Sequence, residues 1–145
     1  MNLSLLQLTE GLQINPPASL TAITELEKKL NQALPFEYKK ILSFGNGMEG
    51  FFGDNQQYIQ LWTAEDIINA NKEYNTQESI PGIYLIGSDG EHEAFAVDMR
   101  SSSGTCGNFF ILPFPLDWEE ADRLGKTAEE FLQKAQNPFN IKKDI

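Results

Sequence analysis

The chain has few of the side chains that enzymes and metal sites use most often. Its 145 residues include one cysteine, Cys106, and one histidine, His92. One cysteine cannot form an internal disulfide, and Cys106 has no neighbouring cysteines or histidines at the spacing of a zinc site. We therefore expect a protein without a disulfide, a metal ion or a cofactor, which suits a reducing cytoplasm.

Long apolar runs are missing as well. No stretch approaches the ~20 apolar residues that a membrane-spanning helix needs. The first residues, MNLSLLQLTEG, contain neither a basic segment nor a small-residue cleavage site of the kind that a secretory signal has. These absences predict a cytoplasmic protein that is neither exported nor inserted into a membrane.

Basic residues are scarce relative to acidic ones. Eleven lysines and arginines face twenty-one aspartates and glutamates, so the formal net charge is −10. That charge repels phosphate backbones and anionic membrane surfaces, and we expect no direct nucleic-acid or membrane partner. It would attract a basic protein, such as a nuclease domain, and would speed the encounter. Solubility alone explains the acidity equally well, and the oligomeric state is left open.

What the chain does contain is the composition of one folded domain. Apolar residues make up 41% of it and charged residues 22%, which is typical of a globular protein. A chain of this length buries enough surface for a single hydrophobic core, so we assign residues 1–145 to one domain. The tail from Gln136 to Ile145 contains Pro138 and several charges, and we expect it to be loosely held unless Phe139 and Ile141 dock.

Two helices are predicted near the start. Leu20, Ile23, Leu26 and Leu30 recur at helical spacing, and Ser19 suits the N-cap. The next segment, LPFEYKKILSFGNG, begins at a Leu-Pro pair, which favours a first helical turn. We expect this second helix to end at Gly45 with a positive φ.

The middle of the chain predicts strands. Ile83–Ile86 and Ala94–Asp98 flank an Asp-Gly pair, which is typical of a hairpin. Tyr58–Trp62 is a further candidate strand, and so is Asn108–Leu112, which Pro113 and Pro115 should bar from continuing as a central strand.

Capping residues predict two later helices, and the elements together indicate a fold class. One helix should run from Thr63 to about Tyr74, and Thr127 with Glu130 should open a last helix. The first fifteen residues favour a short helix or strand. Helices at both ends with strands grouped between them predict an α+β domain, with a mainly antiparallel sheet packed against helices.

Several residues together resemble the opening signature of the SUKH superfamily, which joins bacterial toxin-immunity proteins to a fungal regulator of cell-wall synthesis. They are Ile23 through Glu25, Leu34-Pro35, Tyr38, Leu42 and Asn46-Gly47. The segment IYLIGSDGEHEAFAVDM, residues 83–99, resembles that family's central pair of strands, and the similarity covers roughly Leu20 to Ala135. The chain departs from the family at Gln32-Ala33, where a glycine is common, and at Glu91-His92-Glu93, which replaces a glycine-rich turn.

This resemblance implies a function without catalysis. Members of this kind bind a cognate toxin domain, here expected to be a basic one of nuclease type from a bacterial polymorphic toxin system, and block it. The fungal relatives imply an alternative, an intracellular regulatory or scaffold module that binds other proteins. Under either hypothesis the chain is not an enzyme.

Three other patterns suggest chemistry. Residues 45–50 match G-x-G-x-x-G, but a helix precedes them and Glu49 would face the phosphate, so a loop is favoured over a nucleotide site. Asp89, Glu91, His92, Glu93 and Asp98 suggest a metal or acid–base site, although an exposed hairpin rim explains them better. A third hypothesis is therefore a small-ligand binder or enzyme, which would need a pocket that gathers His92 with these acids or with Cys106.

Most of the aromatic residues are expected in the core, with Trp118 as the exception. It lies in the run DWEEAD, where a large ring among acids suits a cationic partner, while a solvated acidic face is the alternative. We predict a partner-binding surface that combines the glycine loop, the hairpin acids and this tryptophan segment. Its residues are Asn46, Glu49, Asp54, Asp89, Glu91, Glu93, Trp118, Glu119 and Glu120.

Overall fold

A seven-stranded sheet, in which each strand pairs with the next one along the chain, organises the computed structural model, which describes residues 3–137. Every pair is antiparallel, so the predicted α+β class with an antiparallel sheet is confirmed. The strands are β1 Leu12–Ile14, β2 Met48–Phe52, β3 Gln57–Leu61, β4 Ile83–Ser88, β5 Glu93–Asp98, β6 Phe109–Pro113 and β7 Asp122–Gly125.

Six helices accompany the sheet in the described residues. They are α1 Leu5–Leu8, α2 Leu20–Leu30, α3 Phe36–Phe44, α4 Ile67–Glu73, α5 Thr76–Ser79 and α6 Ala128–Ala135, with a 3-10 turn at Trp118–Glu120. None of them is long and apolar enough to cross a membrane. The start of the chain therefore holds both a short helix and a short strand. The prediction that the tail is loosely held unless Phe139 and Ile141 dock concerns residues outside the described part of the chain.

The capping residues explain where two of the predicted helices begin. The Ser19 hydroxyl accepts the Ala22 N–H at 3.0 Å, and the Thr127 hydroxyl accepts the Glu130 N–H at 3.0 Å. Both satisfy donors that the first helical turn would otherwise leave unpaired. Thr63 does the same for Asp66 at 3.2 Å, but a turn intervenes and α4 starts only at Ile67, later than predicted.

The expectation about Gly45 is wrong, whereas the one about Pro113 agrees with the strand pairing. Gly45 has an extended φ of −161°, and it is required for space, because a Cβ there would overlap the Ile14 side chain. The positive φ belongs to Gly47, at +90°. Strand β6 lies between β5 and β7, but β7 pairs only with residues 109–111, so β6 is no longer central where Pro113 stands. The N–H that Pro113 lacks would therefore lie where β6 is paired with β5 alone.

The glycine-rich segment after α3 is also more ordered than a loop. Its second half is β2, in which Met48 and Phe52 are buried and Glu49 and Phe51 are exposed. This alternation of period two is what a strand with one covered face produces.

Two hydrophobic clusters cover the two faces of the sheet unequally. The larger one lies on the inner face, where the helices pack, and is centred on Phe95, Phe109 and Phe131. The smaller one covers the outer face of β4, β5 and β6 only, with Leu85, Ala96 and other apolar side chains under the segment that contains Trp118. The outer face of β1, β2 and β3 has no such cover within the described residues.

Candidate protein-binding surface

The uncovered part of the outer face is polar along one row and aromatic along the next. Gln13, Glu49 and Gln60 are register partners on β1, β2 and β3, and register partners point to the same face. Phe51 and Tyr58 form the adjacent pair, and Phe51 keeps 55% of its surface exposed. The two rings thus form a small aromatic patch beside the polar row.

Tyr58 connects this region to the hairpin between β4 and β5. Its hydroxyl donates a hydrogen bond to Glu49 Oε2 at 2.7 Å, and its ring meets Phe51 edge to face with centroids 5.2 Å apart. The hairpin turn rests on the same ring, since a Cβ at Gly90 would lie 2.9 Å from Tyr58 Cδ2. The hydrogen bond to Glu49, helped by partial burial, raises the pKa of the Tyr58 phenol.

The structure thus brings together two of the three regions that the sequence analysis predicted as one surface. We call Glu49, Phe51, Tyr58, Asp89 and Glu91 the outer patch. The sequence predicts its three acids as surface residues, but it favours the core for Phe51 and Tyr58. The alternation of residues 48–52 was the available signal for their exposure, and the glycines at 45, 47 and 50 obscured it.

The hairpin acids differ in what their carboxylates do. Asp89 Oδ1 accepts the N–H groups of Glu91, His92 and Glu93 at 2.9–3.0 Å, so it shapes the turn. The Glu91 side chain is 77% exposed and free to meet a partner. Glu93 begins β5 and is half-buried.

The other predicted residues of the glycine segment lie at its two ends. Asn46 is a structural residue: its side chain accepts the Ala64 N–H at 2.7 Å and donates to Glu65 at 2.9 Å. Asp54 is exposed in the turn between β2 and β3. Their roles in partner binding stay predictions.

Trp118 lies apart from the outer patch, over β6. Its ring packs edge to face on Phe110 at 4.7 Å, and the Arg100 guanidinium lies 5.7 Å from the ring centroid. The cation that this ring meets is therefore one of the chain's own. Glu119 and Glu120 are exposed beside it, and with strands ~4.8 Å apart the segment is roughly 20 Å from β2.

The residues of the catalytic hypothesis are not brought together. His92 precedes β5, whereas Cys106 lies in the loop that follows the other end of that strand. The His92 side chain is 85% exposed, with only Glu91 near it, at 4.0 Å. Among residues 3–137, no group of three or more histidine, cysteine, aspartate or glutamate side chains is arranged to hold a metal ion.

Asp98 has a structural role that the sequence analysis missed. Its carboxylate is fully buried and accepts hydrogen bonds from Arg100, Ser103 and Thr105, including a two-pronged contact with the guanidinium at 2.9–3.0 Å. Burial alone would raise the pKa of this carboxyl, but the hydrogen bonds from Arg100 and Thr105 and the arginine charge outweigh burial and lower the pKa to about 2. The loop of residues 99–107, which reads as a flexible serine stretch, is organised around this charge.

Comparison with known proteins gives two matches. Residues 17–134 match the SMI1/KNR4 family (SUKH-1). The chain is also 34% identical over 116 residues to the uncharacterized protein YnaB of Bacillus subtilis (strain 168), an alignment that covers 78% of this chain and 72% of that relative. The matched range contains both the outer patch and the Trp118 segment.

Proposed function

The chain belongs to the SMI1/KNR4 family (SUKH-1), and from that premise we propose that it is a non-catalytic immunity protein. In this proposal it binds a basic toxin domain of nuclease type from a bacterial polymorphic toxin system and blocks it inside the producing cell.

One observation carries the proposal: the outer patch pairs the exposed Phe51 with the partly buried Tyr58, bordered by acids, on a sheet face that nothing else in residues 3–137 covers. Phe51 and Tyr58 supply apolar area that can be desolvated at the centre of an interface. Glu49 and Glu91 flank these rings and can pair with lysines or arginines of a partner at the rim.

The strands under the patch make it rigid. Glu49 and Phe51 are on β2, which is paired on both sides, and Tyr58 is on β3, next to β2 in the sheet. A surface built on paired strands loses little conformational entropy when it binds, and such preorganisation favours tight inhibition. The net charge of −10 adds long-range attraction for a basic partner.

The proposal is tested by co-expression in a bacterial host. Each open reading frame next to the gene is expressed with and without this protein, and we score rescue from toxicity and recovery of the complex. Rescue by the wild-type protein, through a complex that survives purification, supports the immunity function. If a neighbouring protein binds but is not toxic, the regulatory or scaffold alternative replaces it.

The surface is tested with a matched pair of charge reversals. Glu49→Lys with Glu91→Lys alters the outer patch, and Glu25→Lys with Glu73→Lys makes the same change of net charge on α2 and α4 in the helical layer. We expect the first double variant to weaken toxin binding by at least about tenfold and the second to change it by less than about threefold. Equal losses would show that net charge matters and that the patch does not.

A further inference from the structure

A depression of about 120 Å³ lies on the outer face of β2 and β3, beside the outer patch, and shares Glu49 with it. Gly47 explains why this depression exists. The outward positions of β2 are 49 and 51, and the alternation continues to position 47, which has no side chain. A Cβ at Gly47 would lie 3.1 Å from Asn15 Nδ2 and 3.1 Å from Thr63 Cγ2, and both of these residues line the space. We call it the Gly47 depression.

The Gly47 depression lies away from the point at which the described chain ends. Gln136, the second-last described residue, packs on Gly53 at the other end of β2. At ~3.3 Å per residue, the length of β2 places roughly 20 Å between the two glycines. Among residues 3–137, no side chain fills the depression.

The side chains around the depression offer hydrogen-bond acceptors and negative charge. Its charged lining residues, within the described part of the chain, are Glu49 and Asp66, and both are acidic and exposed. Three amide side chains complete the polar rim: Gln13, Asn15 and Gln60. Asn15 Nδ2 donates to the Asn46 carbonyl oxygen at 2.9 Å, which leaves the amide oxygen of Asn15 as an acceptor. The rim therefore suits a cation that carries several N–H donors.

Both carboxylates have oxygens to offer such a cation. Asp66 precedes α4, but its side chain makes no capping hydrogen bond. Glu49 accepts the Tyr58 hydroxyl with Oε2, so Oε1 is the oxygen that can accept from a partner. Hydrogen bonds between a cation and a carboxylate are about twice as strong as those between neutral groups, so these two acids should dominate the binding energy.

Trp62 favours arginine over lysine as the source of that cation. Its half-buried indole lines the depression and packs against both hydrophobic clusters, so the ring is held in place. A guanidinium is planar and stacks on aromatic rings, whereas an ammonium is compact and strongly hydrated. A water-sized group takes ~30 Å³, so the depression holds about four non-hydrogen atoms, which is the number in a guanidinium.

We propose that the Gly47 depression is a receptor for an arginine side chain, whose guanidinium pairs with Glu49 and Asp66 and lies against the Trp62 indole. In the complex, this arginine anchors the basic partner beside the outer patch. The anchoring role rests on the proposed function, whereas the preference of the depression for a guanidinium does not.

The preference is tested by NMR titration of the full-length ¹⁵N-labelled protein with N-acetyl-arginine amide and N-acetyl-lysine amide. The two probes carry the same positive charge, so general attraction to an acidic protein acts equally on both. We expect the arginine probe to shift the Gly47 and Thr63 amide signals and the Trp62 indole signal, and to bind at least about threefold more tightly than the lysine probe. Equal affinities, or shifts spread evenly over the acidic surface, overturn the proposal.

A matched pair of variants tests the position of the site. Asp66→Asn removes one carboxylate of the depression, and Glu73→Gln makes the same change of net charge at the last residue of α4. Both residues are exposed, so both variants should keep the fold. We expect Asp66→Asn to weaken binding of the arginine probe at least about threefold, and Glu73→Gln to change it by less than about 1.5-fold. Equal losses in the two variants would contradict the assigned site.

Binding of the partner is a separate arm of the test. Where a toxin has been identified, Asp66→Asn should weaken the complex at least about fivefold, and Glu73→Gln should leave it within about twofold of the wild type. A complex that Asp66→Asn leaves unchanged would contradict the anchoring role, and the probe titration would still decide the preference for a guanidinium. If no neighbouring protein is toxic, the proposed function fails and the probe result stands.

Discussion

The outer face of the sheet is bare over β1, β2 and β3 and covered over β4, β5 and β6. In the covered half, β5 is buried on both faces, with Phe95 and Val97 toward the helices and Ala94 and Ala96 toward the outer cluster. In the bare half, β2 alternates between buried Met48 and exposed Glu49. One continuous sheet therefore serves two purposes in its two halves.

The difference between the two halves shows which strands mainly provide stability and which leave side chains free for recognition. Strands that bury both faces remove more apolar surface from water per residue, and changes there should mostly unfold the protein. Strands with a bare face hold their backbone in place through pairing and through the inner core. Their outward side chains are therefore free to vary without loss of the fold, which is the condition for a binding surface that adapts to a partner.

The comparison is tested most strongly by truncating one aromatic residue in each half. Phe131 is fully buried and stacks on Phe109 with centroids 4.6 Å apart, so we expect Phe131→Ala to lower the free energy of unfolding by about 3–5 kcal/mol. Phe51→Ala removes a ring that is 55% exposed and should cost less than about 1 kcal/mol. Urea unfolding measures both.

The two variants also serve as each other's control in a binding assay. Phe51→Ala should weaken the partner complex while its unfolding midpoint stays near that of the wild type. If Phe51→Ala loses as much stability as Phe131→Ala, side chains do pack on the outer face of β1, β2 and β3. The division of the sheet into a covered and a bare half would then be wrong.

The covered half should also respond to acid through Asp98. The pKa of this carboxyl is lowered to about 2 in the folded protein, against ~3.9 in an unfolded chain, which corresponds to about 2–3 kcal/mol of stability. Because the folded pKa is the lower one, this contribution is complete above about pH 4 and is lost as the pH falls toward 2.

The measurement compares the wild type with Asp98→Asn in urea at pH 6 and pH 2.5. We expect the wild-type advantage to shrink at the lower pH, because the carboxyl of the unfolded chain is then largely protonated and folding must remove that proton to form the pair with Arg100. Asp54→Asn, at an exposed turn, is the control and should show no such change between the two pH values. An advantage that is constant from pH 6 to pH 2.5 would contradict the role assigned to the Asp98 charge.

Local signals made much of this fold predictable. The leucine spacing of α2, the capping residues Ser19 and Thr127, and the Asp-Gly turn each depend on nearby residues, and each prediction is confirmed. Strand β7, the second neighbour of β6, could not be predicted from local signals. Whether Pro113 is tolerated depends on how far β7 extends alongside it, and residues 122–125 carry no pattern that reveals a strand.

The candidate surface was predictable only as a set of acids. Nothing in the sequence shows that Gly90 rests on Tyr58, which is what joins the hairpin to β2, because that contact depends on how β3 and β4 are placed in the sheet. The role of Asp98 was hidden likewise, since a carboxylate at a strand end reads as exposed until its burial is known.

Truncation of Trp118 tests whether its ring belongs to the apolar cover on the outer face of the sheet. Its ring closes the outer cluster over Phe110 and contacts Arg100, so Trp118→Ala should cost about 1–2 kcal/mol of stability. Thermal unfolding provides the measurement. The control, Glu119→Ala with Glu120→Ala, removes exposed charges from the same turn and should change stability by less than about 0.5 kcal/mol. A neutral Trp118→Ala would assign this ring to recognition in place of the fold.

The smallest expected effect concerns the hydrogen bond between Tyr58 and Glu49 in the bare half. This hydrogen bond raises the pKa of the phenol, because ionisation would remove the proton that Glu49 accepts and place two negative charges together. Glu49→Ala should lower the Tyr58 pKa toward its ordinary value, as followed by NMR titration of the ring. It should also change the free energy of unfolding by less than about 1 kcal/mol, since both groups are reached by solvent. Glu10→Ala, an exposed acid in the turn between α1 and β1, should leave the Tyr58 pKa where it is. If Glu49→Ala leaves it unchanged too, the phenol and the carboxylate do not meet in solution, and the outer patch loses the contact that joins its acids to its aromatic pair.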